Sequence, residues 1–275
     1  MSTDIGTPTW TRDEVIAALP AFEDVYGRRP IQDNRGGMKA PHAFATWFMA
    51  RTLAPEVIIE SGIWRGQSTW LLEQACPDAR IISLDPVLSA REYISERATY
   101  HDTDFSELDW TALDPEKTLV FFDDHQNALG RAQQCRWVGL RHLIFEDNYP
   151  ASCGDCYSLK KAFAGAGFEP STPESAWRGK LAKMVEGSRS GMLQYHNDRV
   201  APNEHDAQIL RRNLEVYHEF PPVFVRENTR WGDPWTEPAY PTPAPLLATD
   251  AKDQHPVFWE EAEHYTWICY ARLKA

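Results

Sequence analysis

The sequence predicts an α/β fold with a doubly wound, mostly parallel sheet, preceded by N-terminal helices and followed by a long C-terminal insertion. Short apolar runs alternate with helix-like segments over residues 55–170, which is the pattern of βαβ units. The 275 residues suffice for one large α/β domain, but not comfortably for two. Hydrophobic residues make up 43% of the chain and charged residues 25%, as in folded globular proteins. We therefore expect a single domain over residues 1–275.

The first part, residues 1–54, is predicted to form a helical cap. Thr11 can cap a helix over residues 12–27, because its hydroxyl can accept a hydrogen bond from a free backbone amide. A second helix follows Pro41, with apolar residues close to the three/four spacing of a buried stripe. The polar residues 28–37 between the two helices form either a plain connection or a mobile flap.

Residues 55–170 are predicted to be the cofactor-binding core, in which apolar runs form strands and the segments between them form helices. The strands are predicted at 57–59, 81–84, 118–122 and 142–145. The helices are predicted at 69–74, 89–98, 127–138 and 157–164.

Residues 171–275 form a less regular C-terminal part. We predict a helix over 204–217 and strands over 223–225 and 265–273. Between these strands, residues 226–262 combine a proline cluster with three tryptophans, which excludes an ordinary helix or central strand. This segment is interpreted as a long excursion over the surface that could cover an active site, with a linker as the alternative.

The charge balance excludes some classes of partner. Asp and Glu outnumber Lys and Arg by 40 to 28, for a net charge of −12, whereas nucleic-acid binding depends on a basic face. No apolar run approaches the roughly 20 residues of a membrane span, and the first residues lack the features of a signal peptide. We therefore expect a cytoplasmic protein that binds neither nucleic acid nor membranes.

A glycine-containing turn follows the first predicted strand, at residues 60–69. Gly62 and Gly66 allow the backbone to turn sharply and to approach a ligand closely. Asp85 follows the second strand, where an acidic side chain can accept hydrogen bonds from both hydroxyls of a ribose. The glycine spacing matches neither the dinucleotide fingerprint nor a phosphate loop. Together, these features indicate an adenosine-type cofactor.

Two acidic clusters follow two further strands, at residues 123–125 and 146–148. If the strands are adjacent, both clusters point into one crevice, and this crowding of carboxylates is costly unless a cation or a shared proton relieves it. Oxygen ligands of this kind suit Mg²⁺, Mn²⁺ or Ca²⁺. In the alternative interpretation, Asp147 and Asn148 only cap a turn and Asp123 contacts the cofactor alone.

On these motifs, the sequence resembles the class I S-adenosylmethionine-dependent methyltransferases. The segment 57–66 looks like their first motif and the segment 81–86 like their second, and a final strand at 265–273 fits the end of their sheet. The resemblance implies a Rossmann-like, seven-stranded methyltransferase fold with S-adenosylmethionine as the cofactor. The cofactor-binding residues that it implies are Glu60, Gly62, Trp64, Arg65, Gly66, Gln67, Ser68, Asp85, Asp102 and Asp123.

The family places the residues around adenine near 100–105, where Asp102 or Asp104 could bind the amino group of adenine and Phe105 could stack on its ring. The acidic clusters resemble the metal-dependent branch of the family, in particular the cephalosporin hydroxylase and macrolide-sugar O-methyltransferase group. An alignment on the histidine after the first cluster makes Asp124 rather than Asp123 the first ligand, so this choice is left open. The implied metal ligands are Asp123, Asp124, Glu146, Asp147 and Asn148.

We therefore expect a divalent-metal-assisted O-methyltransferase that acts on a hydroxyl of a small molecule or saccharide. The expected catalytic residues are Asp123 and His125. A divalent ion beside Asp123 can lower the pKa of the hydroxyl, and His125 is the candidate for accepting its proton. A surface histidine that caps the next helix is an equally open interpretation of His125. His101 is a weaker candidate, and His142 is expected at the opposite end of the sheet.

Two other functions stay open. The protein could be a non-catalytic regulatory module that binds S-adenosylmethionine, or a hydroxylase-type oxidoreductase on the same framework. Cys153 and Cys156 form the one CxxC pair of the chain and are interpreted as reduced thiols in a loop. The tryptophan-rich excursion and the N-terminal helices could bury against a second copy, so a homo-oligomer is left open.

Overall fold

The structure is a computed structural model that describes residues 5–168, 201–235, 237–238 and 240–275. The predicted boundary between the core and the C-terminal part, at residues 170 and 171, lies outside the described residues. Seven strands of the described residues form one sheet. In chain order they are β1 (Val57–Ser61), β2 (Arg80–Leu84), β3 (Ala98–His101), β4 (Thr118–Phe122), β5 (His142–Phe145), β6 (Leu214–Glu219) and β7 (Cys269–Leu273).

The order of the strands across the sheet is β3-β2-β1-β4-β5-β7-β6. The first five strands pair in parallel, and β7 runs antiparallel to both β5 and β6. The chain starts in the middle of the sheet, winds outward to one edge and then returns to fill the other half. The predicted doubly wound, mostly parallel seven-stranded sheet is confirmed.

Helices cover both faces of this sheet. They are α1 (Arg12–Ala17), α2 (Leu19–Tyr26), α3 (Ala40–Leu53), α4 (Gln67–Ala75), α5 (Ala128–Val138), α6 (Leu159–Phe163), α7 (His205–Asn213) and α8 (Pro256–Glu260). The first four helices and α8 share one apolar core with the sheet, while α5, α6 and α7 share the other. No helix in the described residues is long and apolar enough to span a membrane.

The central strands are buried on both faces, which explains why they are apolar throughout. In β4, Leu119 and Phe121 belong to the core beneath α3, whereas Val120 and Phe122 belong to the core beneath α5. A parallel strand with helices on both sides has no face that contacts water. The predictions of β1, β2, β4 and β5 from their apolar runs are accordingly confirmed, although β1 and β2 are slightly longer than predicted.

The prediction of one helix over residues 12–27 is wrong. Helix α1 ends at Ala17, and α2 begins at Leu19 with Pro20 in its first turn. Proline has no backbone N–H to donate, and its ring clashes with the carbonyl four residues earlier, so it starts a helix but does not continue one.

The prediction of a helix over residues 89–98 is also wrong, because the structure has only a short 3₁₀ turn at Leu88–Ala90 and then β3. The backbone amides of Glu92 and Tyr93 both donate to the carbonyl oxygen of Arg65. The hydroxyl of Ser95 accepts from two amides that follow it. These bonds hold the backbone outside a helix, since they compete with helical hydrogen bonds.

In the C-terminal part, the predicted helix over 204–217 ends at Asn213, and β6 begins at Leu214. The strand predicted over 223–225 is not formed, and the final strand is limited to 269–273. Pro221 and Pro222 have no N–H groups, so this stretch is a poor partner for a sheet. Residues 214–219 pair with β7 instead, and this tertiary contact overrides their helical pattern.

The excursion over residues 226–262 packs against the N-terminal helices. The ring of Phe258 is fully buried and lies 5.6 Å from that of Phe22 and 5.4 Å from that of Phe44. The carboxylate of Glu261 accepts hydrogen bonds from the hydroxyl of Tyr26 (2.8 Å) and from the first amide of α3 (2.7 Å). These contacts do not fit a free linker.

The substitution Phe258→Ala tests this packing. Removing a fully buried aromatic ring should lower the free energy of unfolding by about 3–5 kcal/mol, because it leaves a cavity between three helices. Trp231→Ala in the same excursion is the matched control, because that side chain is 60% exposed and should change stability by no more than about 0.5 kcal/mol. Urea unfolding measures both changes, and equal effects would contradict the packing.

Candidate active site

The candidate site lies at the carboxyl ends of the central strands. Ser61, the last residue of β1, is in register with Leu84 of β2 and with Phe122 of β4, and Phe122 is in register with Phe145 of β5. The residues that follow these four strands therefore meet at one edge of the sheet. Ligands of open α/β sheets bind at this edge.

The turn after β1 needs glycine at two positions. Gly62 has φ +96° and Gly66 has φ +90°, in the region that favours glycine. A Cβ atom on Gly62 would overlap the carbonyl oxygen of Asp123, and one on Gly66 would overlap that of Tyr93. Trp64 between them adopts φ +45° and is 46% exposed, so the turn holds a strained, accessible aromatic side chain.

Asp85 ties the turn after β1 to the end of β2. One carboxylate oxygen accepts from the amides of Ile63 and Trp64, both at 2.9 Å, and the other accepts from the amide of Val87 at 2.7 Å. A carboxylate has about four acceptor positions, so Asp85 keeps acceptor capacity beyond these bonds. The side chain lies at the glycine turn, where the resemblance places the residue that holds the ribose.

Glu60 lies beneath the turn and is fully buried. One carboxylate oxygen accepts from the hydroxyls of Thr69 and Ser83, both at 2.6 Å, and the other has no partner among the described residues. Burial raises the pKa of Glu60, although the hydrogen bonds from the hydroxyls of Ser83 and Thr69 oppose the rise. Glu60 therefore links β1 to β2 and to α4 beneath the turn, and Ser68 is buried in the first turn of α4.

Arg65 and Gln67 hold the polar segment that precedes α3 against the turn. Arg65 forms two hydrogen bonds to Glu92, at 2.5 and 2.7 Å, and donates to the carbonyl oxygen of Asp33 at 2.8 Å. The side-chain oxygen of Gln67 accepts from the amide of Ile31 at 3.2 Å. The predicted connection or flap thus lies on the turn, held by two of the residues that were expected to contact the cofactor.

Of the residues near the end of β3, Asp102 is exposed, whereas Asp104 and Phe105 belong to the framework. Arg131 donates to both oxygens of Asp104, at 3.0 and 2.5 Å. Burial alone would raise the pKa of Asp104, but the bonds from Arg131 outweigh it and lower the pKa. Phe105 is buried and stacks on Trp110, with ring centroids 5.4 Å apart, so its face is not open to an adenine ring.

Three side chains from two strand tips could hold a metal ion. One ligand atom from each of Asp123, His125 and Asp147 lies within 4.8 Å of the other two. The Nδ1 atom of His125 is 3.2 Å from Asp147 and 3.1 Å from Asp155. His125 is 52% exposed and adopts φ +52°, a strained conformation that turns the chain at this point.

The charges of this cluster disfavour its fully ionised form. Burial and the neighbouring carboxylates of Glu146 and Asp147 raise the pKa of Asp123 well above its usual range. Burial also raises the pKa of Asp147, although the nearby His125 opposes the rise. The carboxylate of Asp147 in turn raises the pKa of His125. The buried Oδ2 atom of Asp147 accepts no hydrogen bond from the described residues and has only the contact with Nδ1 of His125, and a bound cation relieves such a deficit.

Asp124 lies outside this cluster and points toward α5. Its carboxylate accepts from the hydroxyl of Ser61 at 2.7 Å and from the Nε atom of Arg131 at 2.9 Å. Arg131 is itself buried and also binds Asp104. The buried ion pair of Asp124 with Arg131 is costly to break. Of the two neighbouring aspartates, Asp123 is therefore the one that lies beside Asp147.

Glu146 is bound to a histidine that the sequence analysis missed. Its carboxylate accepts from Nδ1 of His42 at 2.6 Å, and Nε2 of His42 accepts from the amide of Thr266 at 2.9 Å. Since Nε2 accepts, the proton of the neutral ring is on Nδ1. Burial by itself raises the pKa of Glu146, but the contact with His42 outweighs it and lowers the pKa to about 2. His42 looked like one more residue of an apolar helix, and no local signal marked it.

Both ends of the side-chain amide of Asn148 are bound by the fold. Its nitrogen donates to the hydroxyl of Tyr217 at 2.9 Å, and its oxygen accepts from the amide of Lys160 at 3.0 Å. His142, at the first position of β5, lies at the opposite end of the sheet, as expected. Cys153 and Cys156 are buried free thiols, and burial raises the pKa of Cys153 to about 12, so both remain protonated at neutral pH.

Comparison with known proteins gives only structural matches. No protein-family model matches the chain, and no curated protein matches it. The O-methyltransferase TomG from Streptomyces achromogenes is 13% identical, with 96% of this chain and 90% of that chain covered and a TM-score of 0.41. The methyltransferase PaMTH1 from Podospora anserina is 20% identical over 49% of this chain, with a TM-score of 0.32. A structure described as cmcI-N160 SAH is 24% identical over 41% of this chain, with a TM-score of 0.33. The chain spans 62% and 64% of the length of these last two proteins.

Gly62→Ala tests the geometry of the turn. The added Cβ would overlap the backbone of Asp123 at a positive φ, so we expect a loss of at least about 2 kcal/mol in unfolding free energy. Gly130→Ala in α5 is the matched control, because its Cβ would meet no atom closer than 3.6 Å and should stabilise the helix by about 0.5–1 kcal/mol. Equal thermal stabilities of the two variants would refute the close approach.

His42→Leu tests the buried pair of His42 and Glu146. Leaving the buried carboxylate without this hydrogen bond should cost about 1.5–3 kcal/mol at neutral pH. Because the folded pKa of Glu146 is about 2 and its ordinary value is 4.5, the pair stabilises the fold above pH 4.5 and loses its effect as the pH falls toward 2. The deficit of the variant should therefore shrink in acid.

The control for that experiment is His218→Leu, because Nε2 of His218 is buried without a hydrogen-bond partner in the described part of the chain. This variant should be at least as stable as the original protein, since it removes an unpaired polar atom. Chemical denaturation at several pH values measures both variants. A deficit of His42→Leu that stays constant with pH would contradict the assignment.

Proposed function

We propose that the protein is an S-adenosylmethionine-dependent, divalent-metal-assisted O-methyltransferase that acts on a hydroxyl of a small molecule or saccharide. The observation that supports this most strongly is the direct contact between the glycine turn and the acidic cluster. The amide of Asp123 donates to the carbonyl oxygen of Ser61 at 2.8 Å, and Gly62 leaves no room for a Cβ against Asp123. A cofactor on the turn and a cation in the cluster would therefore be neighbours.

The turn supplies groups that fit an adenosine-type cofactor. Asp85 would accept from ribose hydroxyls with its remaining acceptor positions, and exposed Asp102 at the end of β3 would face the adenine side. Gly66 precedes α4, whose first amides are free to donate to a carboxylate. Trp64 presents an aromatic face that would attract a sulfonium cation. Arg65 and Gln67 would keep the preceding polar segment over the turn.

The donor set of the cluster suits a hard divalent cation. Asp123 and Asp147 would hold Mg²⁺ or Mn²⁺ through carboxylate oxygens, and His125 would stay outside the coordination sphere beside them. Asp124, Glu146 and Asn148 would keep their present hydrogen bonds and would not bind the metal themselves. They would instead fix the orientation of the ligands, as the residues around a metal site do. This narrows the ligand set expected from the sequence.

His125 is the residue that we assign to the proton. A bound divalent ion would lower the pKa of an acceptor hydroxyl, and S-adenosylmethionine would supply the methyl group. Nδ1 of His125 faces two carboxylates, while Nε2 has no hydrogen-bond partner among the described residues and belongs to a half-exposed ring. Nε2 can accept the hydroxyl proton, and Asp147 and Asp155 then stabilise the imidazolium that forms.

The cluster argues against the hydroxylase alternative. Non-haem iron oxygenases use two histidines and one carboxylate, whereas the cluster in the described residues has one histidine and two carboxylates. A regulatory module without chemistry would bind the cofactor equally well, so the distinction between that module and an enzyme requires an assay of methyl transfer.

Metal binding is the first test. Isothermal titration with Mn²⁺ should give one site. Asp123→Asn or Asp147→Asn should weaken the affinity for Mn²⁺ at least about tenfold, because each removes a charged ligand that contributes about 1.5–3 kcal/mol to the binding free energy. Asp78→Asn, at a surface position away from the cluster, is the control and should leave the affinity unchanged. Unaltered Mn²⁺ affinity in both cluster variants would remove the metal from the proposal.

Without metal, Asp123→Asn should also raise the melting temperature, because it relieves the repulsion between crowded carboxylates. The gain should disappear when Mn²⁺ is present, since the original protein then has its charges neutralised. Thermal unfolding with and without Mn²⁺ measures this. A variant that is less stable than the original protein under both conditions would contradict the crowding.

Methyl transfer is the second test. The protein should bind S-adenosylmethionine, and it should convert it to S-adenosylhomocysteine with saccharide or phenol acceptors only when Mg²⁺ or Mn²⁺ is added. Cofactor binding without turnover across both classes of acceptor would favour the regulatory module. An absence of cofactor binding would leave only the fold.

A further inference from the structure

A basic groove lies at the end of the sheet opposite to the candidate active site. We define it by Arg136, Trp137, Leu140, Arg212, Asn213 and Lys274, and its volume is about 620 Å³. Ligand pockets of proteins typically span about 300–1,000 Å³, so the groove has the size of a small-molecule site. It adjoins the start of β5, whereas the acidic cluster follows the end of that strand.

The charge of this groove is opposite to that of the protein. The chain carries a net charge of −12, yet no Asp or Glu side chain of the described residues lines the groove. Arg141, which also lines it, is paired with Glu116 and Glu215. Arg136 and Arg212 form no ion pair with the described residues, and Lys274 donates only to a backbone carbonyl oxygen. Three cations are thus free to bind an anion.

Trp137 is the most exposed large hydrophobic side chain of the described residues, at 90%. It belongs to the last turn of α5, beside Arg136 and at the wall of the groove. An exposed tryptophan contributes little to the stability of the fold, and its flat face can stack on a planar ring. The groove therefore combines cations with an aromatic surface.

Asn213 lines the groove and is 9% exposed, but its Oδ1 atom is buried, so a ligand in the groove does not reach that atom. Cations at the ends of α5 and α7 stabilise the helix dipoles, but this explanation does not account for the exposed tryptophan beside them.

We propose that this groove binds a nucleoside phosphate, at a site separate from the candidate active site. Arg136, Arg212 and Lys274 bind the phosphate groups, for which guanidinium groups have matching geometry. Trp137 stacks on the planar ring of the base. No bond is made or broken, so the ligand acts as an effector.

ADP is the probe for this site, used in calorimetric titrations of the full chain with a chelator present to exclude metal-mediated binding. We expect saturation with a dissociation constant below about 1 mM. Arg136→Gln and Arg212→Gln should each weaken binding about tenfold, in keeping with the loss of one charge-assisted hydrogen bond. Arg80→Gln removes an exposed arginine elsewhere on the protein and should leave the affinity unchanged.

Two further probes separate the ring from the phosphates. Trp137→Ala should weaken ADP about tenfold, as expected for the loss of one stacking contact, and should leave pyrophosphate binding unchanged. S-adenosylhomocysteine should not compete with ADP, since its proposed site is at the other end of the sheet. The proposal is overturned if S-adenosylhomocysteine displaces ADP, if pyrophosphate binds as tightly as ADP, or if the groove variants match Arg80→Gln. These outcomes do not depend on whether the protein transfers methyl groups.

Discussion

The crowding of carboxylates at the tips of β4 and β5 is the constraint on which the rest of the site depends. Parallel pairing of these strands brings half-buried Asp123 and buried Asp147 to one edge of the sheet, where one ligand atom of each lies within 4.8 Å of the other. The half-exposed ring of His125 neutralises only part of this charge. Such an arrangement lowers stability, as is typical of functional sites, and the proposed cation would relieve it.

Two buried partners decide which carboxylates remain free for a cation. Arg131 binds Asp124 from α5, and His42 binds Glu146 from α3, so each face of the sheet contributes one anchor. Asp123 and Asp147, next to these two in the chain, have no such buried partner, and Asp147 contacts only the half-exposed ring of His125. The helices on the two faces of the sheet thereby determine which carboxylates belong to the cluster. A shift of either helix would change the charge of the cluster as well as its shape.

The sequence was sufficient for the parts of the fold that local chemistry determines. Central strands were predictable because both of their faces are buried, and the glycine turn was predictable because Gly62 and Gly66 need positive φ angles. Strand β6 was not predictable, because its strand character comes from pairing with β7 more than fifty residues later. The choice between Asp123 and Asp124 depends on Arg131, and the role of His42 depends on a partner 104 positions away. Such contacts leave no trace in a local pattern.

The central claim is that a bound divalent cation and a bound methyl donor are neighbours at this edge of the sheet. Paramagnetic relaxation tests it directly, by recording the methyl resonance of protein-bound S-adenosylmethionine while Mn²⁺ is added. The account predicts strong broadening of that resonance in the original protein and its loss in Asp147→Asn. A sharp methyl resonance, with calorimetry showing that the cation and the cofactor are both bound, would contradict the account.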